Sequence, residues 1–238
     1  MKKQALVTGS AKRIGQSIAL SLALSGYDIA LHYNKSKTDA QNTCRYIREM
    51  GRLCHSFQAD LFNIIETENM MKNVLQQYSD LSVLINSASY FQKNTLSSSS
   101  IREVEKNFLI HLLAPLKLIQ LFTQNRSKGL IINFLDTHIV KNRNNYAGYY
   151  LSKRSLADLT RMAAFEYAPN YRINAIAPGH VLPPVDGSSV NSTTKKSNLL
   201  QKGISLESIN STVKYLIENR DITGQIIYVD GGESISWQ

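Results

Sequence analysis

Tyr149 and Lys153 lie four residues apart, and on a helix that spacing puts them on one face, one above the other. A phenol beside an ammonium can serve as an acid near neutral pH. The positive charge favours the phenolate and draws the phenol pKa below its ordinary value of about 10. Asp136 comes thirteen residues before the tyrosine. It follows the run Leu130-Ile131-Ile132-Asn133-Phe134-Leu135, which reads as a buried parallel strand. Side chains just past the carboxyl end of such a strand point into the ligand crevice of an open α/β sheet. A Y-x-x-x-K pair also arises by chance, as an exposed tyrosine and a solvated lysine. Its meaning therefore depends on the elements around it.

The first of those elements is a short apolar run at residues 3–8, followed by Gly9-Ser10-Ala11-Lys12-Arg13-Ile14-Gly15. Ile14, Ile18, Ala19, Leu22 and Ala23 then recur at helical spacing until Gly26. Strand, glycine turn and helix make up the context in which such a motif cradles phosphate. Gly9 permits the tight turn and Gly15 lets the helix pack close to the strand. The helix N-terminus offers N–H groups and partial positive charge to a pyrophosphate. Arg13 stands where the dinucleotide fingerprint has its middle glycine. The second strand, residues 27–33, ends in Asn34-Lys35-Ser36, where a site for NAD places an acid. No acid is present there. Arg13, Lys35 and Ser36 suit a 2′-phosphate instead, so NADPH is the expected cofactor. The competing reading of Lys35 is a solvated turn lysine.

Further along, the pattern repeats. A helix with Ala40, Cys44, Ile47 and Met50 inward leads to a strand at 53–57 and then Asp60-Leu61. A helix bearing Met70, Met71, Val74, Leu75 and Tyr78 leads to the strand Val83-Leu84-Ile85, which runs into Asn86-Ser87-Ala88-Ser89-Tyr90-Phe91. Short polar residues after a buried strand let the backbone approach a ligand, and Phe91 either stacks on a flat ring or anchors the loop. Residues 101–122 read as one long helix with Val104, Phe108, Leu112 and Leu116 on its inner face, kinked at Pro115. His111 lies within it, and a lone helical histidine is more often structural than catalytic. The Tyr149 helix presents Leu151, Leu156, Leu159, Met162 and Ala163 inward, and a sixth strand at 172–177 ends in Pro178-Gly179-His180. Residues 182–203 read as a mobile lid or a plain loop. A last helix and a strand at 226–229 lead to Asp230-Gly231-Gly232. The alternation predicts an α/β fold: residues 1–238 as a single doubly wound, Rossmann-type domain with right-handed crossovers.

Composition narrows the classes. The 238 residues are 43% hydrophobic, and no apolar run approaches the ~18 residues of a membrane span. The apolar start Ala5-Leu6-Val7 is too short for a signal peptide, so a cytoplasmic protein is expected. Cys44 and Cys54 lack metal-type spacing and read as buried, reduced thiols, and no metal is expected. Net charge is +9, yet the basic residues are scattered and no aromatic-interleaved RNA motif is present. Anionic small ligands account for the charge better than nucleic acid or a membrane surface does.

With these pieces in order, nearly the whole chain resembles the short-chain dehydrogenase/reductases. The matching motifs are Thr8-Gly9 to Gly15, Asp60-Leu61, Asn86-Ser87-Ala88-Ser89, Tyr149 with Lys153, Pro178-Gly179 and Asp230-Gly231-Gly232. The resemblance implies a seven-stranded parallel sheet and hydride transfer with NAD(P). Tyr149 would be the proton donor, and Lys153 would hold the nicotinamide ribose and lower the tyrosine pKa. Asp60 would meet the adenine, and the segment from Asn86 would line the cofactor. The helices carrying Tyr149 and His111 would build a homotetramer. Two positions depart from the common pattern: Asp136 replaces the catalytic serine, and His111 replaces an asparagine. The first departure is similar to the pteridine reductases and bacterial dihydromonapterin/dihydrofolate reductases of the family. That branch also matches Gly9 to Gly15, His32-Tyr33-Asn34-Lys35-Ser36 and Ala88-Ser89-Tyr90-Phe91.

The resemblance thus implies an NADPH-dependent reductase of a pterin or folate substrate. Its catalytic residues would be Asp136, Tyr149 and Lys153, and Ser89 and Phe91 would join Asp136 and Tyr149 at the substrate. Asp136 could share or relay a proton with Tyr149 if partial burial raised its pKa. The rivals are a 3-oxoacyl-carrier-protein or sugar-alcohol reductase, a catalytically silent NADP-binding regulator, and an RNA binder resting on net charge alone. Neither nucleic acid nor a membrane is expected as a partner.

Overall fold

The computed structural model describes residues 2–142, 145–181 and 198–236. The proposed lid therefore lies outside the described residues, except for 198–203. Seven strands form one sheet: β1 (Gln4–Val7), β2 (Asp28–Tyr33), β3 (Cys54–Gln58), β4 (Leu81–Asn86), β5 (Gly129–Phe134), β6 (Tyr171–Pro178) and β7 (Ile226–Val229). Their spatial order is β3-β2-β1-β4-β5-β6-β7, and every neighbouring pair is parallel. The helices between them are α1 (Arg13–Leu24), α2 (Lys37–Glu49), α3 (Ile64–Gln77), α4 (Ile101–Phe108), α5 (Ala114–Asn125), α6 (Ala147–Tyr167) and α7 (Leu206–Glu218). The order reverses at β1, which pairs with β2 on one side and β4 on the other. Open sheets take ligands at that switch point, beyond the carboxyl ends of the strands.

Strand alternation builds two cores. Ala5 and Val7 of β1, Val83 and Ile85 of β4, and Ile132 of β5 face the layer formed by α1, α2 and α7, with Ile18, Leu22, Ile47 and Val213. Leu6, Leu84 and Ile131 face the opposite layer, with Met71, Val74, Leu118 and Phe122 of α3 and α5. Both faces are covered, so the central strands are apolar at successive positions. Local signals start several helices. Asn63 caps α3, Ser205 caps α7, and Ser100 with Glu103 forms a reciprocal capping box on α4.

The structure corrects three expectations of packing. The long helix at 101–122 is two helices joined by a π-turn, Leu109–Leu113. Pro115 sits in the first turn of α5, where its missing N–H is tolerated. The expected inner face at Val104, Phe108, Leu112 and Leu116 is only half-buried. Asn107, Ile110, His111, Ala114 and Leu118 are buried instead. On α6, Leu151 and Met162 are exposed and, with Phe165, lie on the outward side of the helix. Met50, at the end of α2, is also exposed. Among the described residues no helix is long and apolar enough to cross a membrane.

Candidate active site

The functional residues expected from the sequence gather along the carboxyl edge of the sheet. Gly9 follows β1, Asn34 to Ser36 follow β2, Asp60 follows β3, Ser87 and Ala88 follow β4, Asp136 follows β5, and Gly179 follows β6. The first turn is built for close approach. Gly9 has φ +64°, and a Cβ there would lie 2.8 Å from Ala88 Cα. A Cβ on Gly15 would lie 2.4 Å from the Gly9 carbonyl oxygen. Arg13 also adopts a left-handed backbone, φ 57°, which is why a glycine is the ordinary choice at this point. Lys12, at the start of α1, makes no side-chain cap, and the first turn carries no acid. The amides there are arranged for an anion. Arg13 and Lys35 are exposed on the same edge. Asn34 Nδ2 donates to Asp60 Oδ1 at 3.1 Å, joining the ends of β2 and β3. These residues fit a dinucleotide carrying an additional phosphate.

His32 is buried, and its ring supports the turn from behind. Gly9 N–H donates to Nδ1 at 3.0 Å, and Nε2 faces the Ala59 carbonyl at 3.1 Å. Burial, which disfavours the cation, takes its pKa down to about 4 against the opposing Ala59 hydrogen bond and Asp60. The native protein thus holds this ring neutral while the unfolded chain binds a proton below about pH 6.5. The stabilisation is complete above pH 6.5 and is lost as pH falls toward 4, amounting to about 3 kcal/mol for this one group. Urea midpoints should therefore drop between pH 6.5 and 4, and His32→Asn should flatten that drop. A slope unchanged by the substitution would contradict this role.

Asp136 and Tyr149 meet directly. The Tyr149 hydroxyl donates to Asp136 Oδ2 at 3.0 Å. Asp136 Oδ1 accepts from the His138 backbone N–H and faces His138 Nδ1, both at 2.8 Å. Burial alone would raise the Asp136 pKa, but the His138 contacts, followed by the Tyr149 hydroxyl, outweigh it and the carboxyl is held below its ordinary range. The expected upward shift is thus reversed. The expected acidification of Tyr149 is reversed too. Burial, then the Asp136 charge, pushes its phenol well above 10. Lys153 donates to the Phe134 carbonyl at 2.6 Å, and its ammonium lies 5.7 Å from the centroid of the Tyr149 ring. Burial brings the Lys153 pKa down to about 8, against the pull of Asp136. Spacing showed the cation beside the phenol; it could not show that both would be buried with a carboxylate between strand and helix.

His111 has a structural place. Tyr90 N–H donates to its Nε2 at 3.2 Å, so the proton sits on Nδ1, 2.9 Å from Ser152 Oγ. Ser152 in turn donates to the Tyr149 carbonyl at 2.8 Å. Burial, then Lys153, keeps the imidazole neutral. His111 Nε2 also faces Ser89 Oγ at 2.9 Å, so this ring ties the loop after β4 to α6. Asn86 donates to Asn133 at 2.8 Å, and Asn133 donates to Thr160 at 2.9 Å, which locks β4, β5 and α6 together behind the site. Phe91 belongs to the site. It stacks on Tyr146 with centroids 4.2 Å apart and meets Tyr149 edge-on at 4.7 Å.

Sequence reasoning missed Tyr146, His138 and Glu233. Glu233 Oε1 lies 3.0 Å from His138 Nε2, yet the two are 95 residues apart in the chain, so no spacing motif joins them.

The chain is similar in sequence and fold to several known proteins. The sequence profile described as Enoyl-(Acyl carrier protein) reductase, of the short-chain alcohol-dehydrogenase type, matches residues 9–234. The solved structure of FolM alternative dihydrofolate reductase 1 from Brucella canis, complexed with NADP, is 33% identical with a TM-score of 0.92, covering 99% of this chain and 96% of that one. The 3-oxoacyl-[acyl-carrier-protein] reductase FabG of Staphylococcus epidermidis is 32% identical over 98% of this chain and 99% of its own. Pteridine reductase 1 of Leishmania tarentolae is 31% identical over 98% and 96%.

Proposed function

Because the chain belongs to the short-chain dehydrogenase/reductase family of NAD(P)-dependent oxidoreductases, we propose that it is an NADPH-dependent dihydropterin reductase. The observation that carries the reading is the Asp136 carboxylate, which accepts the Tyr149 hydroxyl at 3.0 Å where a carbonyl reductase has serine. A carboxylate only accepts hydrogen bonds, and beside a developing alkoxide it would be repulsive. A pterin offers ring N–H donors that it can accept from and orient. The nicotinamide would supply the hydride, to C6 of a 7,8-dihydropterin. Tyr149 gives its proton to N5, Phe91 offers a face for the ring to stack on, and Lys153 holds the ribose. The similarity to an alternative dihydrofolate reductase complexed with NADP and to a pteridine reductase supports the assignment. Exposed Leu151, Met162 and Phe165 on α6 give a homotetramer of the family type an apolar face to bury.

The other reading, 3-oxoacyl-carrier-protein reduction, is favoured by the similarity to FabG. NADPH oxidation measured against dihydromonapterin, dihydrobiopterin, dihydrofolate, biopterin and an acetoacetyl thioester separates the two. Faster reduction of the thioester than of any dihydropterin would overturn the pterin assignment.

Cofactor choice is tested at Arg13. Charge-assisted hydrogen bonds contribute roughly 1.5–3 kcal/mol, so Arg13→Ala should raise the NADPH KM about ten- to a hundredfold. NADH should be nearly unaffected. Arg13→Gly should lose the same NADPH preference but relax the left-handed backbone, gaining ~1 kcal/mol of stability. Wild-type enzyme that used NADH as well as NADPH would defeat the cofactor reading.

A further inference from the structure

We propose that His138, Glu233 and His180 form a binding site for a divalent cation of the zinc class. One ligand atom from each lies within 4.8 Å of the other two. Glu233 Oε1 is 3.0 Å from His138 Nε2 and 3.3 Å from His180 Nδ1. Nitrogen and oxygen ligands sit about 2.0–2.2 Å from zinc, so neighbouring donors in its shell are roughly 3.0–3.5 Å apart. Two edges of a coordination shell are therefore already formed. The third closes by a movement of His180, the one exposed member, at 46% of its side-chain surface.

The surroundings are those of a metal ligand set. His138 turns Nδ1 to Asp136 Oδ1 at 2.8 Å. That carboxylate–histidine pairing fixes the tautomer and leaves Nε2 as the ligand atom. Glu233 is 1% exposed, and room for it depends on Gly179, where a Cβ would lie 3.0 Å from Glu233 Oε2. A buried carboxylate needs a compensating positive charge. In the ion-free arrangement the two imidazoles face the carboxylate with ring nitrogens. A divalent ion supplies that charge with both rings neutral. Two imidazole nitrogens and one carboxylate oxygen select zinc and its neighbours over calcium or magnesium, which prefer all-oxygen shells. The three residues follow β5, β6 and β7, so an ion here would staple three strand ends together. The site shares no ligand with the reduction chemistry, and it stands whichever substrate the enzyme takes.

Calorimetry with zinc chloride on the chelator-treated full-length protein should show one equivalent bound with a micromolar or tighter Kd. Thermal denaturation should rise by roughly 5–10 °C at free zinc a hundredfold above Kd. His180→Ala, at an exposed position, should weaken binding at least about tenfold, and Glu233→Gln should abolish it. Cys44→Ser should leave binding unchanged. Magnesium and calcium chloride should give neither heat nor a thermal shift. Failure of wild type to bind zinc at about 100 μM would overturn the proposal. So would wild-type affinity in His180→Ala, loss of binding in Cys44→Ser, or equal binding of magnesium.

Discussion

Replacing Tyr149 with phenylalanine should lower kcat by about 10²–10⁴, the range of general acid catalysis, while cofactor binding survives. The ring is buried among Phe91, His111 and Tyr150, and phenylalanine keeps that packing. The only atom removed is the hydroxyl that Asp136 accepts. Fluorescence titration with NADPH should therefore give a near-wild-type Kd alongside collapsed turnover. Lys153→Ala should harm both, since it removes the proposed ribose contact and the cation beside the phenol. Near-full activity of Tyr149→Phe on every substrate would mean that this helix carries no acid.

Asp136→Ser is the second large effect, and its direction separates the two substrate classes. The serine is what a carbonyl reductase of this family carries, so the exchange should help a carbonyl enzyme. Here it removes the acceptor shared by Tyr149 and His138. A hydrogen bond to a charged group is worth roughly 1.5–3 kcal/mol, so dihydropterin turnover should fall by about ten- to a hundredfold from one lost contact. Phe91→Ala should instead act mainly on the pterin KM. Full pterin activity in Asp136→Ser would leave the fold and the cofactor site standing and remove the pterin reading.

The strands were legible because both sheet faces are covered, which leaves continuous apolar runs such as Leu130 to Leu135. The site edge was legible because glycines and short polar residues must follow such runs for a ligand to approach. Burial-dependent electrostatics were not. Four-residue spacing shows that Lys153 accompanies Tyr149, but whether the phenol rises or falls depends on how deeply both are enclosed and on Asp136 arriving from another element. The inner face of α4 was misread for a different reason: apolar side chains mark a buried side in sequence, whereas here the polar Asn107 and His111 turn into the core. His138 and Glu233 meet only because β5 and β7 end at the same edge.

The π-turn at Leu109–Leu113 also has a consequence for insertions and deletions. It is equivalent to one residue inserted into a regular helix. The looser winding already absorbs that residue, so losing it would restore ordinary winding with α4 and α5 kept on their faces, whereas a length change elsewhere in either helix would turn everything downstream by about 100° relative to everything upstream. Either Asn107 or the pair Leu118 and Phe122 would then leave the core. Exchanges of side chain at the half-buried positions 109 and 112 alter local packing alone, whereas a change of length in the regular turns on either side breaks the alignment of α4 with α5. Among sequences that keep His111 in contact with Ser152, the regular turns on either side should vary in spelling but not in letter count.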